Sequence, residues 1–315
     1  MRRVRTAGVG KELVKRAQTE RFIDKVRDPF TISAAYSDGT VDMDLKTGPY
    51  TYQFLQFMVR SASAITGETI LRDGKHYVKT EFLSKYISRM RLDIDGVTER
   101  DLTMDQMVNF NASNGYDVQD GQVYMVFGGP YQFDDKRIED VYALGTGNLR
   151  AVSVRVDLTS DWVNGTMFME GMAEYTSARR PVTHLRTIKQ KRYSPSSSGE
   201  YTIADLPIHS DIGAIYVLGA DIKSAKLEID GVEVMDVSNY KLKGINKLYG
   251  NSPEKLGEGM VFDFMRSREI TKALKSLERM DQRKRNANIA ITLNLGSASE
   301  LNVIVDQIGR YATQG

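Results

Sequence analysis

A repeat at a spacing of 135 residues is the feature of this sequence that most limits its fold. Residues 91–115 and 226–250 align without a gap. Eight pairs at this spacing are identical: Leu92/Leu227, Ile94/Ile229, Asp95/Asp230, Gly96/Gly231, Val97/Val232, Asp101/Asp236, Asn111/Asn246 and Gly115/Gly250. A period of this length matches a whole domain and is too long for the unit of a solenoid. The sequence therefore predicts two homologous domains in tandem.

Alternating apolar and polar residues indicate β-strands in both halves. Val152, Val154 and Val156 alternate with more polar neighbours, and the run 287–295 has the same pattern. A period of two places one face of a strand against a core. Similar runs lie at 51–59, 86–94, 121–127, 165–175, 214–220, 225–229, 260–264 and 300–308. Since the regular strand–helix alternation of parallel α/β folds is missing, we predict a mainly β protein of two tandem jelly-roll β-sandwiches with short inserted helices.

The repeated block also predicts turns and helix ends. The two Asp-Gly pairs have the composition of tight hairpin turns, and glycine is favoured where a helix ends. We therefore select six turn and cap positions as equivalent in the two halves: Asp95, Gly96, Gly115, Asp230, Gly231 and Gly250. Thr103 and Ser238 are candidate N-caps of short helices. A second helix is expected at 134–144 and at 267–281, where apolar residues recur at helical spacing.

The composition along the chain predicts four parts. Residues 1–26 form a basic N-terminal arm or helix, and residues 27–177 form the first jelly roll. Residues 178–200 are expected to hold a linker and the first edge strand, because six Lys/Arg in 176–200 precede a Pro-Ser-Ser-Ser-Gly stretch. Residues 201–315 form the second jelly roll.

The N-terminal arm is the most basic part of the chain. Residues 1–25 contain eight Lys/Arg against three acidic residues. The residues that we expect to face a membrane or a partner are Arg2, Arg3, Arg5, Lys11, Lys15 and Arg16. A basic amphipathic helix can lie on anionic lipid. Binding to nucleic acid, contact with a neighbouring subunit and an ordinary solvated helix remain alternatives.

The overall composition limits the function classes. The 43 Lys+Arg and 41 Asp+Glu nearly cancel, whereas dedicated nucleic-acid binders carry a large basic excess. There is no cysteine, which excludes disulfides, thiolate metal sites and a catalytic thiol. The sequence contains no apolar run long enough to span a membrane and no secretory signal pattern, so we expect a soluble protein made in the cytoplasm.

No pattern of catalytic residues is present. The three histidines, His76, His184 and His209, are scattered without metal-ligand spacing. Two groups of acids could be imagined as calcium ligands or as an acid/base pair: Asp93, Asp95 and Asp101, and Glu228, Asp230 and Asp236. Their spacing around Gly96 does not fit a calcium-binding EF-hand loop, so solvated turn formers are the preferred interpretation. We predict no catalytic residue, no cofactor and no metal, although a structural surface cation such as calcium remains conceivable.

These blocks together resemble a known family. The residues that carry the resemblance are 225–234 (AKLEIDGVEV), 242–250 (LKGINKLYG), 260–264 (MVFDF), 287–295 (ANIAITLNL) and 300–311 (ELNVIVDQIGRY). The chain resembles the double-jelly-roll major capsid proteins of membrane-containing icosahedral bacteriophages of the corticovirus and autolykivirus type. The resemblance covers about residues 27–315 and is weaker in the first half.

The resemblance implies a structural role in a virion capsid. Three chains would form a homotrimer with a nearly hexagonal outline, which tiles a lattice around an internal membrane. Its partners would be further copies of itself, anionic membrane lipid, and minor capsid and spike proteins, with no specific nucleic acid. Two other hypotheses are a two-sandwich glycan-processing hydrolase and a carbohydrate- or receptor-binding spike module. The oligomeric state together with hydrolase activity would discriminate among them.

Overall fold

A computed structural model of the chain describes residues 25–32, 39–114, 116, 120–127, 143–176, 184–219, 221–249, 259–265, 274, 277–280, 283–286 and 288–310. The strands of the first half are β1 (Lys25–Ile32), β2 (Thr40–Leu45), β3 (Thr51–Ser61), β4 (Thr69–Arg72), β5 (Lys75–Val78), β6 (Ile87–Ile94), β7 (Val97–Thr103), β8 (Gln122–Val126), β9 (Leu144–Gly145), β10 (Val152–Leu158) and β11 (Met167–Thr176). Its helices are a 3-10 turn (Thr80–Phe82), α1 (Leu83–Tyr86) and α2 (Met104–Ser113).

The second half has the same kinds of element as the first. The connection between its third and fourth strands is shorter than the connection between the equivalent strands β3 and β6. Its strands are β12 (His184–Tyr193), β13 (Gly199–Ile203), β14 (Asp211–Leu218), β15 (Ile222–Ile229), β16 (Val232–Ser238), β17 (Met260–Asp263), β18 (Leu277–Met280), β19 (Arg283–Asn286), β20 (Ile289–Leu295) and β21 (Leu301–Arg310). Its helix is α3 (Asn239–Leu248).

Each half folds into two antiparallel four-stranded layers. In the first half these layers are β1-β11-β3-β8 and β2-β10-β6-β7. In the second half they are β12-β21-β14-β17 and β13-β20-β15-β16. The chain visits equivalent strands in the same order in both halves, and eight strands in two packed sheets form a jelly roll. The predicted fold of two jelly rolls with short inserted helices is confirmed.

The spacing found in the sequence is preserved in the structure. β6 and β15, β7 and β16, and α2 and α3 begin and end 135 residues apart. The hairpin turns between these strands have equal geometry, with φ of 50° at Asp95 and 51° at Asp230, followed by 84° at Gly96 and 78° at Gly231. Two successive residues with positive φ define the type I′ turn, which suits the twist of a hairpin. The identical Asp-Gly pairs therefore specify identical turns.

The predicted caps of α2 and α3 are also confirmed. The Thr103 hydroxyl accepts from the Gln106 amide at 3.3 Å, and the Gln106 side chain accepts from the Thr103 amide at 2.9 Å. This reciprocal pair is a capping box, which satisfies two amides that the first helical turn leaves free. In the second roll the Ser238 hydroxyl accepts from the Lys241 amide at 3.4 Å.

Two separate apolar interiors support the two rolls. One cluster contains only residues between Tyr193 and Val305, and all of these belong to the second roll. The other cluster is formed by the first roll together with six residues of the second: Leu185, Ile188, Ala214, Tyr216, Val261 and Ile304. Alternate residues of β14 therefore face different interiors, since Ile215 and Val217 lie in one cluster and Ala214 and Tyr216 in the other. The sheet β12-β21-β14-β17 is covered on both faces.

The prediction of a helix at 267–281 is wrong in the part that the structure describes. Leu274 exchanges two backbone hydrogen bonds of 2.9 Å with Ile212 of β14, and Leu277–Met280 is a strand paired with β19. Backbone pairing with neighbouring strands has overridden a pattern of apolar residues that is equally compatible with a helix. Of the other predicted helix, residues 134–142 lie outside the described residues, and Leu144 begins the short strand β9 paired with β3.

Candidate functional site: the junction between the rolls

The predicted turn residues Asp95 and Asp230 lie in the hairpin turns, and each carboxylate also accepts hydrogen bonds from the segment before a third strand. The Asp95 carboxylate accepts from the backbone amides of Arg150 and Ala151 at 2.8 and 2.9 Å. The Asp230 carboxylate accepts from the amide of Asn288 at 2.9 Å. In each roll the aspartate thus fixes the segment that enters the neighbouring strand, β10 or β20. These carboxylates are structural acceptors in equivalent places.

The other predicted positions lie outside the described residues. These are the arm residues Arg2, Arg3, Arg5, Lys11, Lys15 and Arg16, and the helix-end glycines Gly115 and Gly250. Residues 1–24 contain the whole arm except its last two residues, which begin β1.

A buried asparagine ties each inserted helix to its own roll. Asn111 of α2 donates to the carbonyl of Tyr124 at 2.9 Å and accepts from its amide at 2.6 Å. Asn246 of α3 donates to the carbonyl of Val261 at 2.9 Å. Both side chains are about 1 % exposed. Buried amides are retained where they satisfy backbone groups, and these two identical residues of the repeat do so on β8 and β17.

The two rolls meet through unlike surfaces. The first roll contributes α2 and the edge strand β7, and the second contributes β12 and the outer face of its sheet. β7 and β12 are joined in parallel at Arg100 and Ile188, so the two sheets form one eight-stranded sheet. The predicted edge strand in 178–200 corresponds to β12, which pairs along its whole length with β21 on its other side.

Helix α2 packs against the second roll through a contact between two aromatic side chains. The rings of Phe110 and Tyr216 lie 5.3 Å apart, and the amide of Asn114 donates to the Tyr216 hydroxyl at 3.1 Å. Aromatic pairs at this distance contribute roughly 0.5–1.5 kcal/mol beyond the burial of their surface. The end of α2 is therefore fixed to β14 of the other roll.

A buried group of charges lies in the same junction. Arg186 of β12 donates from Nε to both carboxylate oxygens of Asp306 on β21, at 2.8 and 2.9 Å. Arg100 of β7 donates to the carbonyls of Arg186 and Val126, at 3.1 and 2.6 Å. The guanidinium of Arg186 also lies over the Phe110 ring, at 5.5 Å from its centre. The group links both rolls through fixed hydrogen-bond geometry.

Burial sets the acid–base behaviour of this group. Burial and repulsion by Arg186 lower the pKa of Arg100 to about 9. Burial also opposes the charge of Arg186, but attraction and hydrogen bonding by Asp306 outweigh it and raise the pKa of Arg186. Burial, with a further contribution from Asp306, raises the pKa of Tyr216. The Asp306 carboxylate thus favours the charged form of both guanidinium groups at the junction.

The sequence interpretation did not identify the residues of this junction. One signal was available, because Asp306 interrupts the apolar run Val303–Ile304–Val305 with a charge, and a buried charge requires a partner. Its partner, 120 positions away at Arg186, follows only from the strand order.

The structure offers no assembled chemical site among the residues it describes. Within those residues no group of three or more His, Asp or Glu side chains could hold a metal ion. In the same part of the chain no helix has the length and apolarity needed to cross a bilayer. Asp93 accepts from the Thr98 hydroxyl at 2.6 Å, and Asp101 is paired with Arg89 at 3.3 Å. Asp93 and Asp101 therefore bind side chains across the neighbouring strands β6 and β7.

Comparisons with known proteins agree with this architecture. Residues 185–311 match a family model described as viral coat protein P2 C-terminal domain. Among solved structures, the chain is similar to the major capsid protein P2 from Bacteriophage PM2, with a TM-score of 0.72 and 18% identity over 92% of this chain and 100% of that chain. It is also similar to a chain in the atomic structure of Sulfolobus Turreted Icosahedral Virus (TM-score 0.62, 11% identity, 90% of each chain). The Faustovirus major capsid protein gives a TM-score of 0.54 and 9% identity over 91% of this chain and 90% of that chain. No curated protein matches the sequence.

Two equivalent rolls joined through unlike surfaces define a double-jelly-roll protein with the fold of viral capsid proteins. The second roll thus carries the match to the coat-protein family model, and the whole chain shares the double-jelly-roll fold of the capsid proteins compared with it.

Proposed function

We propose that the chain is the major capsid protein of an icosahedral virion and acts as a homotrimer in which six rolls form a nearly hexagonal ring. The observation that carries this proposal is the junction between the rolls, because it joins two different surfaces of two equivalent units. A contact between unlike surfaces can be repeated from unit to unit and closes into a ring when the rotation fits. Three chains of two rolls each complete a ring of six.

The division of the chain follows from the same proposal. The first and second rolls, predicted at 27–177 and 201–315, are the two units that each chain contributes to the ring of six. The linker and strand at 178–200 connect them, and β12 of this segment pairs with strands of both rolls. A flat hexagonal outline allows trimers to tile a facet by lateral contacts, with minor capsid and spike proteins at other positions of the lattice.

The oligomeric state of the intact chain tests the proposal. Light scattering after size exclusion should give a mass three times that of one chain at micromolar concentration. Electron microscopy of concentrated protein should show hexagonal particles or sheets. A monomer over the whole accessible concentration range, or a twofold dimer in which equivalent surfaces meet, would contradict the proposed ring.

We further propose that the basic arm in residues 1–26 faces an internal membrane. Its eight Lys/Arg within residues 1–25 support this orientation, since each cation near an anionic surface contributes about 1 kcal/mol. Intact protein should bind vesicles that contain anionic lipid at low salt and dissociate at high salt. A chain that lacks residues 1–24, which keeps β1, is the matched control. Equal binding by both chains would remove the arm from the proposal.

A further inference from the structure

Helix α3 exposes apolar residues at the positions that α2 buries against the second roll. Phe110 and Ser113 of α2 are 6% and 3% exposed, whereas their equivalents Ile245 and Leu248 are 38% and 84% exposed. Asn114, which bonds to Tyr216, corresponds to Tyr249, which is 44% exposed.

The residues that hold each helix to its own roll behave differently. Met107 and Asn111 of α2 are buried, and their equivalents Leu242 and Asn246 of α3 are buried to the same degree. The two helices therefore sit on their rolls in the same way, and only the surface turned away from the roll differs. In α2 this surface is covered by the next roll of the chain. In α3 it is apolar and exposed.

The exposed apolar residues continue onto the adjacent strand. Val234 of β16 is 51% exposed, and its equivalent Glu99 of β7 pairs with Lys189 of β12 at 3.3 Å. β16 lies at the end of its sheet, and the equivalent strand β7 is the one that pairs with β12. We name the α3 patch as the group Val234, Ile245, Leu248 and Tyr249. Groups of exposed apolar residues are typical of protein interfaces.

The first roll carries the surface that corresponds to the one α2 covers. When β11 and β21 are aligned end to end, Glu170 corresponds to Ile304, and their cross-strand partners Met58 and Tyr216 correspond to each other. Tyr216 and Ile304 are buried under α2, while Met58 and Glu170 are only half-buried. Around Met58 the same outer face presents the apolar residues Phe54, Tyr124, Phe168 and Met172, which are all half-buried.

We infer that the α3 patch binds the outer face of the sheet β1-β11-β3-β8 in a second copy of the chain, and that β16 lies beside β1 of that copy. This contact repeats between chains the junction that α2 and β7 make within one chain. It rests on the proposed homotrimer and names the surfaces that hold it together. Each chain gives one α3 patch and one outer face, so three copies satisfy all of these surfaces in a closed ring.

Substitutions in the patch test the inference without threatening the fold, because the side chains are exposed. Leu248→Asp and Tyr249→Asp should each raise the dissociation constant of the trimer by about tenfold or more, while thermal unfolding of the monomer stays unchanged. Leu71→Asp is the control, since Leu71 is 59% exposed on β4 and outside the patch. It should leave the trimer intact.

Cross-linking tests the identity of the two surfaces. The chain has no cysteine, so a Met58→Cys/Tyr249→Cys double variant carries only the two chosen thiols. A short bismaleimide should link it into species of two and three chains, whereas Met58→Cys/Leu71→Cys should stay monomeric on a denaturing gel.

The outcomes separate the inference from the proposed function. A trimeric wild type, dissociation by Leu248→Asp and cross-linked trimers support both. A trimeric wild type whose Leu248→Asp variant remains trimeric, with no linked species, overturns the docking surface alone and indicates that another segment, such as residues 1–24, covers α3. A monomeric wild type overturns both.

Discussion

Arg186 and Asp306 form a buried, two-oxygen ion pair in the junction between the rolls, on neighbouring strands of the second roll and beneath α2 of the first. Burial of such a pair costs desolvation energy, which only good geometry and further hydrogen bonds offset. Arg100 of the first roll donates to the backbone carbonyl of Arg186, and the Arg186 guanidinium lies over the ring of Phe110 of the first roll. The pair therefore favours one relative orientation of the two rolls over others that apolar packing alone would allow.

Removal of the carboxylate should destabilise the protein strongly. Asp306→Asn leaves Arg186 buried without its paired carboxylate, and loss of one partner of a buried pair costs about 3–5 kcal/mol. Denaturant unfolding of the purified variant measures this loss. Glu300→Gln is the control, because Glu300 and its partner Arg192 are both about 60% exposed and 3.6 Å apart; it should leave stability nearly unchanged. Equal effects of the two substitutions would contradict the structural role of Asp306.

Each of the two buried asparagines should stabilise its own roll. Asn111→Ala and Asn246→Ala each remove a donor from a buried strand carbonyl, which costs about 1–3 kcal/mol. Hydrogen exchange should then show faster opening of β8 in the first variant and of β17 in the second. Asn294→Ala serves as the comparison, since Asn294 is exposed on β20. A loss in only one roll would show that the two helices are held by different means.

Equivalent glycines of the hairpin turns should tolerate the same replacements. Gly96→Ala and Gly231→Ala force a Cβ into positive φ in open space, at a cost of roughly 1–2 kcal/mol. Asparagine accepts this conformation more readily than alanine, so Gly96→Asn and Gly231→Asn should lose less stability. Thermal unfolding of the four variants measures the order. If alanine and asparagine behave alike, the turn geometry is not what limits these positions.

The buried phenol of Tyr216 should make stability fall in alkali. Burial raises its pKa above the ordinary value near 10, so its contribution is complete below that pH. As the pH rises further, the unfolded chain releases a proton that the folded chain retains, and stability falls by up to about 1.4 kcal/mol per pH unit. Urea unfolding at about pH 9 and about pH 11 should show a smaller decline for Tyr216→Phe than for the wild type. Identical declines would exclude this contribution.

The repeat predicted the parts of the fold that short-range chemistry determines. Asp95-Gly96 and Thr103 act within a few residues of their own positions, so their type I′ turn and helix cap could be inferred directly, as could Asp230-Gly231 and Ser238. Alternation in β10 and β20 likewise gave the strand faces, since every second residue of each lies in a core.

The features that the sequence did not reveal depend on contacts between residues far apart in the chain. Residues near Leu274 have apolar spacing compatible with a helix, yet they pair with Ile212 across more than sixty positions. The contact of Arg100 with Arg186 depends on which edge of one roll meets the other. The identity of Asn111 and Asn246 signals that two helices are anchored alike, but the difference in cover between α2 and α3 emerges only when both rolls are assembled.

An electron cryomicroscopy map of the purified oligomer tests most directly the claim that one kind of junction repeats around the ring. The expected map shows three chains and six rolls, with first and second rolls alternating and α3 of each chain against the β1-β11-β3-β8 face of the next. A map in which two second rolls meet each other, or in which α3 faces solvent, would contradict it.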